Sequence, residues 1–235
     1  MVGGRHGIRG TRSDFGEGGN GLSSARSRRR NDGPLAVTRG KRLFDIVLAL
    51  LVLPAVALAM VVIGALILIL DGRPVFYVSE RMRDPVTPFR LWKFRTMRPD
   101  PADHGATGGH KADRLTRCAP FLRSTHLDEL PQLFNILRGD MSFVGPRAPL
   151  RVYVEVAPDL YARVLKSRPG LTGLATLVYR HEEARLLADS RTVEETEAIY
   201  RRRCVPRKAR LDLIYQRNRS ICLDLWIILR TVLHR

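Results

Sequence analysis

LFDIVLALLVLPAVALAMVVIGALILIL, residues 43–70, carries one charge, Asp45 near its start, and one proline, Pro54, in its first half. As a straight helix it would extend roughly 42 Å, more than the ~30 Å hydrocarbon core of a bilayer requires. A secretory signal is excluded because the run is too long and too far from the N-terminus, and is followed by DGRPVFY rather than a small-residue cleavage site. Unbroken apolarity on every face is rare for a core helix in a chain this small. Lys41 and Arg42 stand four and three residues before Asp45, so both can pair with it at a lipid interface. Pro54 lacks an N–H and clashes with the preceding turn, which predicts a break near mid-depth. Basic residues flank the run on both sides (Arg39, Lys41 and Arg42 before; Arg73, Arg81 and Arg83 after), leaving no positive-inside asymmetry. The expectation is a re-entrant helix-break-helix over 39–72 that returns to the cytoplasmic side.

The rest of the chain sorts around that segment. Residues 1–38, rich in Gly, Ser and Arg, contain no run able to bury apolar surface and are expected to form a disordered basic tail, attracted to anionic lipid through Arg26–Arg30. Residues 73–235 are expected to form a cytoplasmic domain with membrane-associated helices. PVFYV and FRLWKF have strand-like content and are separated by the turn-prone DPVTP; 99–112 is expected to be a loop. Leu130, Leu133, Phe134 and Leu137 fall at helical spacing, with Pro131 in the first turn and Gly139 ending the helix. SRPGLTG (167–173) reads as a loop, 182–203 as a charged helical stretch, and SICLDLWIILRTVL (220–233) as an apolar helix. The fold class expected is α+β, predominantly helical.

Composition limits the chemistry. A formal net charge of +17 implies an anionic partner: nucleic acid, an acidic membrane surface or phosphorylated small molecules. The three cysteines form no CxxC pair, and no histidine spacing matches a metal-binding helix, so a disulfide framework and a zinc ribbon are excluded.

Against that positive charge, the adjacent carboxylates Asp128 and Glu129 stand directly ahead of the 130–138 helix. Two explanations compete. In the structural one, Thr125 and Asp128 form a capping box and Glu129 is a first-turn acid. In the chemical one, one carboxylate attacks phosphorus while the second holds a divalent cation that offsets the charge of nucleophile and substrate. Lys93 and Arg95 in KFRTM, Arg123, Arg147 in GPR and Arg168 in RPG all lie in loop or loop-edge contexts suited to a diphosphate.

KRLFD (41–45), the Pro-interrupted apolar run, PVFY (74–77), KFRTM (93–97), LDELPQLFNILRGDMSFVGPR (127–147), RPGLTGLA (168–175) and LDLIYQRNRS…LDLWIILRT (211–231) together resemble the monotopic polyprenyl-phosphate phosphoglycosyl transferases, the bacterial sugar transferase family, in its short form. The resemblance implies transfer of a sugar-1-phosphate from a UDP-sugar to undecaprenyl phosphate at the cytoplasmic face of the bacterial inner membrane. It also implies Asp128 as nucleophile, Glu129 as Mg²⁺ ligand, Arg123 on substrate phosphate, and Pro146 and Arg147 in the nucleotide region. The chain departs from the family pattern at Arg83, Val86, Ala119, His126 and Ala148, none of which is a residue to which the resemblance gives a role. A nucleic-acid-binding protein, suggested by RRRCVPRKAR (201–210), is disfavoured because no base-reading motif occurs and the strongest pattern centres on carboxylates. Residues 201–210 then read as a solvated or lipid-facing basic surface. An inactive scaffold is the third alternative, disfavoured by the intact acidic pair.

Overall fold

The computed structural model describes residues 39–98 and 113–233; the tail at 1–38 and the loop at 99–112 expected from sequence lie outside the described residues. Helix α1 (Arg39–Leu70) takes in the whole apolar run. Its helical assignment continues through Pro54, with no interruption at the expected break, and Pro54 lies on the exposed face. Lys41, Asp45, Ala49, Ile63 and Ile67 are buried along one side. On the other, Leu51 is 75% and Ile69 80% exposed, and Leu43, Val47, Leu58 and Val62 lie bare with them. So long an apolar stripe left uncovered by the described residues is a surface suited to lipid.

Both ends of α1 are tied to the rest of the fold. At the start, Lys41 Nζ donates to Asp224 Oδ2 at 2.6 Å and lies 3.9 Å from Asp45, while Asp45 Oδ1 accepts from Ser142 Oγ at 3.0 Å. Arg42 does not pair with Asp45 as its spacing allowed. Its guanidinium donates to the Ile136 and Leu137 carbonyls, at 2.6 and 2.7 Å, because the last carbonyls of a helix lack intrahelical donors. At the far end Asp71 accepts the backbone N–H groups of Arg117 and Cys118.

Strands β1 (Phe76–Met82) and β2 (Pro88–Phe94) form the expected antiparallel hairpin, with Phe76 opposite Phe94 and Met82 opposite Pro88. Asp84 sets the turn by accepting from the Val86 and Thr87 amides. Next come α2 (Ala119–Ser124), a 3₁₀ turn (Leu127–Glu129) and α3 (Gln132–Arg138), which Gly139 ends at φ 92°. Helix α3 is shorter than its apolar spacing suggested because residues 127–129 tighten into the 3₁₀ turn.

Strand β3 (Ser142–Val144) pairs in parallel with β4 (Gly170–Thr172), so part of the expected 167–173 loop is sheet. The two backbones approach so closely that a Cβ on Gly170 would strike the Gly145 nitrogen and one on Gly145 the Arg168 carbonyl. Helices α4 (Arg151–Val156), α5 (Pro158–Val164), α6 (Leu174–Ala188), α7 (Val193–Ile199), α8 (Val205–Asn218) and α9 (Ile221–Leu233) complete the described chain, with a π-helical turn at Tyr200–Cys204 before α8. The charged stretch expected at 182–203 divides at Ser190–Thr192, where Thr192 caps α7 by accepting from the Glu195 amide. Two small two-stranded sheets among helices give the expected α+β class.

Candidate active site

The turn carrying the acidic pair has three residues per revolution, so Leu127 and Leu130 share one face and pack with Ile63 and Ile67 of α1. Asp128 and Glu129 occupy the remaining faces, at 7% and 9% exposure. The capping box is not formed. Thr125 Oγ1 instead donates back to the Phe121 and Leu122 carbonyls at the end of α2, and His126, with φ 55°, precedes the turn without a side-chain cap. The His126 carbonyl accepts the Glu129 amide.

Glu129 Oε1 accepts from Lys93 Nζ at 2.7 Å and from Arg147 Nη2 at 2.9 Å. Burial opposes its ionisation, but the Arg147 and Lys93 charges prevail and hold the carboxyl well below the usual range. Burial pulls the Lys93 ammonium down, and Glu129 raises the Arg147 guanidinium. Asp128 differs from its neighbour. Burial, with the Glu129 charge beside it, pushes its pKa up against Lys93, Arg147 and Arg123. No hydrogen bond or ion pair engages its carboxylate among the described residues. Glu129 thus takes the two nearest cations, and the Asp128 carboxylate is left without a partner among the described residues.

Beside the pair opens a cavity of about 260 Å³. Lys93, Arg123 and Arg147, expected from sequence, line it together with Arg81 and Lys208, which sequence did not single out. Lys208 Nζ bonds both Glu183 oxygens, at 2.9 and 3.0 Å, so at least one cation of 201–210 belongs to the cavity wall rather than to a solvated face. Pro146 is buried, and its carbonyl accepts the Gly170 amide, joining the GPR and RPG segments. Asp128, Glu129 and Pro146 are not themselves in the cavity lining, the pair standing behind Lys93 and Arg147, and Arg95 and Arg168 are not in it either. Arg95 is buried, its Nη2 donating to the Asp71 and Gly72 carbonyls just past α1. Arg168 lies near Gly139 and Arg42, beyond the end of α3, where burial and Arg42 lower its pKa.

Among the described residues no three His, Cys, Asp or Glu side chains converge as a metal cluster. The donor set still fits Mg²⁺, which binds through one or two carboxylates plus substrate phosphates and water. Glu129 is ionised, and its Oε2 has no partner among the described residues.

Residues 36–235 match the family model described as bacterial sugar transferase. The chain is 37% identical to a UDP-glucose:undecaprenyl-phosphate glucose-1-phosphate transferase of Caulobacter vibrioides, covering 86% of this chain and 73% of that protein. It is 36% identical to a protein of the same name from Klebsiella pneumoniae, over 82% of this chain and 39% of the relative. It is 32% identical to a UDP-N-acetylgalactosamine-undecaprenyl-phosphate N-acetylgalactosaminephosphotransferase of Aeromonas hydrophila, over 82% of this chain and 42% of the relative. The chain therefore spans less than half the length of the last two proteins. An acidic pair bonded to cations of a cavity wall, beside a long lipid-suited helix, accompanies a match over nearly the whole sequence: the chain belongs to the bacterial sugar transferase family.

Proposed function

We propose that the protein transfers a sugar-1-phosphate from a UDP-sugar to undecaprenyl phosphate, releasing UMP and initiating assembly of a bacterial glycan. The observation that carries this function is the unequal acidic pair: Asp128 unbonded, Glu129 paired through Oε1 with Lys93 and Arg147, both beside a cavity bearing Arg81, Lys93, Arg123, Arg147 and Lys208. A carboxylate oxygen of Asp128 attacks the sugar-bearing phosphorus and the bond to UMP breaks, leaving a phosphosugar on Asp128. A phosphate oxygen of undecaprenyl phosphate then attacks the same phosphorus, freeing Asp128 and forming the lipid diphosphate sugar. Arg123, Lys93 and Arg147 offset the charge that accumulates on the equatorial oxygens. Glu129, through its unpartnered Oε2, would hold Mg²⁺, which would supply further charge neutralisation when bound.

The acceptor is a lipid, and the apolar surface supports delivery from the bilayer. Phe134 of α3 and Leu225, Trp226 and Leu229 of α9 are about half exposed, adding to the bare face of α1. We place the protein at the cytoplasmic face of the inner membrane, with α1 dipping into the bilayer and returning, and with basic residues meeting anionic lipid. Convergence of the cations into a cavity, rather than along an open surface, favours a small phosphorylated substrate over nucleic acid.

The test is intact-mass analysis of purified protein with Mg²⁺ and a panel of UDP-sugars, without acceptor. A sugar-phosphate adduct is expected on the parent and absent from Asp128→Asn, with UMP released in equal amount. An adduct on the Asn variant, or at another residue, disproves the assignment.

A further inference from the structure

Beyond Lys93, Arg123 and Arg147 the cavity changes character. Its wall there includes Tyr153 of α4, Tyr161 of α5, Tyr200 of the π-helical turn, Val205 and, on α8, Asp212. Asp212 is 7% exposed, and among the described residues neither of its carboxyl oxygens has a hydrogen-bond partner; Oδ1 is wholly shut from solvent. A buried carboxyl left unpaired is costly, and its retention in a cavity wall points to a ligand that completes its bonds. Tyr161, itself 9% exposed, lines the same wall; burial, then Tyr200 and Asp212, raises its phenol, so it stays a donor.

We propose that Asp212, with Tyr161 beside it, reads the donor–acceptor edge of the uracil ring of the nucleotide substrate. The assignment rests on the UDP-sugar function proposed above and deepens it. The hexose hangs on the phosphorus that Asp128 attacks and must sit near the acidic pair, whereas the base lies beyond the second phosphate and the ribose. Asp212 stands one turn along α8 from Lys208, whose ammonium is held by Glu183, whereas Lys93 and Arg147 are held at Glu129, so this part of the wall is built from other elements than the part beside the acidic pair. Tyrosine rings and aliphatic side chains give it the flat apolar walls a pyrimidine needs.

The chemistry of the carboxyl fits. In its neutral form Oδ2, the oxygen not shut from solvent, offers an O–H donor to O4 of uracil, while the Tyr161 hydroxyl stands beside it to meet the neighbouring edge of the ring. Burial pushes Asp212 up to about 7, against the opposing Lys208 charge one turn away on the same helix. The other titratable groups lining the cavity are Tyr153, Tyr161, Tyr200, Glu183, Arg81, Lys93, Arg123 and Arg147, and Lys208 is held by Glu183. Asp212 is therefore largely neutral below pH 7 and ionised above it, when its charge repels the nucleotide and its donor is gone.

The experiment is equilibrium binding of UMP and of inorganic pyrophosphate to the full chain in detergent. Asp212→Ala is expected to weaken UMP by about tenfold or more, because a site built to pair with a polar group discriminates strongly, and to leave pyrophosphate affinity unchanged. Asp212→Asn keeps a donor and an acceptor, so it should bind UMP like the parent at pH 6. The parent should then lose UMP affinity relative to the Asn variant between pH 6 and about 8.5. Tyr161→Phe should weaken UMP selectively, independently of any effect at residue 212. Equal UMP affinity in parent, Asp212→Ala and Tyr161→Phe overturns the proposal, as does a parallel loss of pyrophosphate. A loss seen with UDP-hexose but not with UMP puts the hexose at Asp212 and overturns it also. A parent that binds pyrophosphate but not UMP refutes instead the nucleotide-donor function on which the assignment stands.

Discussion

Two neighbouring carboxylates in one turn acquire opposite properties from their surroundings. Glu129 meets Lys93 and Arg147 and is held ionised, while Asp128, buried beside that charge, is raised and left unbonded. Glu129→Gln keeps the shape and removes the charge, so the concentration of Mg²⁺ giving half-maximal UMP release should rise by roughly an order of magnitude, the scale expected when a ligand contact to a metal is weakened. A titration superimposing on the parent's would assign Glu129 to holding Lys93 and Arg147 alone. At this scale the sequence was informative where chemistry is local. Asp128, Glu129 and Arg123 sit within one short segment, and Lys93 and Arg147 flank it in recognisable motifs. Asp212, Tyr161 and Lys208 were not legible, because their role depends on α5 and α8 meeting across the cavity, and neither a lone carboxylate nor a lysine in a basic run signals that in one dimension.

Elements explain motifs that side-chain chemistry does not. RPG and GPR read as cation-bearing loops, yet the invariant physical demand at both is backbone proximity: β3 and β4 approach until no Cβ fits at Gly145 or Gly170. Arg168 lies beyond the end of α3 and Arg95 caps the exit from α1, positions that charge and loop context alone do not distinguish from those of Lys93 and Arg147. The hairpin and α9 were legible because their periodicities are local, whereas the 3₁₀ turn was not, since its tightening follows from packing Leu127 and Leu130 against α1. Gly170→Ala should force β4 away from β3 and destabilise the domain by about 3 kcal/mol, lowering the thermal transition in detergent by roughly 6–12 °C for a domain of this size. Gly40→Ala is the matched control, since its added Cβ meets nothing within 4 Å. Equal transitions in the two variants would show that the parallel pairing is not tightly closed.

At the scale of the whole molecule the question is how one long apolar helix sits with the domain that carries the acidic pair and its cavity; the function proposed above requires that domain to meet both a soluble nucleotide and a lipid. A straight helix of this length would run roughly 48 Å, enough to leave its two ends on opposite sides of the ~30 Å hydrocarbon layer. The polar contacts at the ends argue otherwise. Lys41 and Arg42 are anchored to Asp224 and to the α3 carbonyls, and Asp71 to the Arg117 and Cys118 amides, so both termini are held by the same compact unit. Pulling either end across the bilayer would break these bonds and carry Lys41, Asp45 and Asp224 into hydrocarbon. Single cysteines at Gly40 and Arg73, both exposed and just at or beyond the ends of α1, test this in a Cys222→Ser background, where Cys118 and Cys204 are buried. Neither site should react with a membrane-impermeant thiol reagent added to intact cells, and both should react once the cells are opened. Labelling at one site from outside would establish a spanning helix and would require the contacts of that terminus to be absent in the membrane-bound protein.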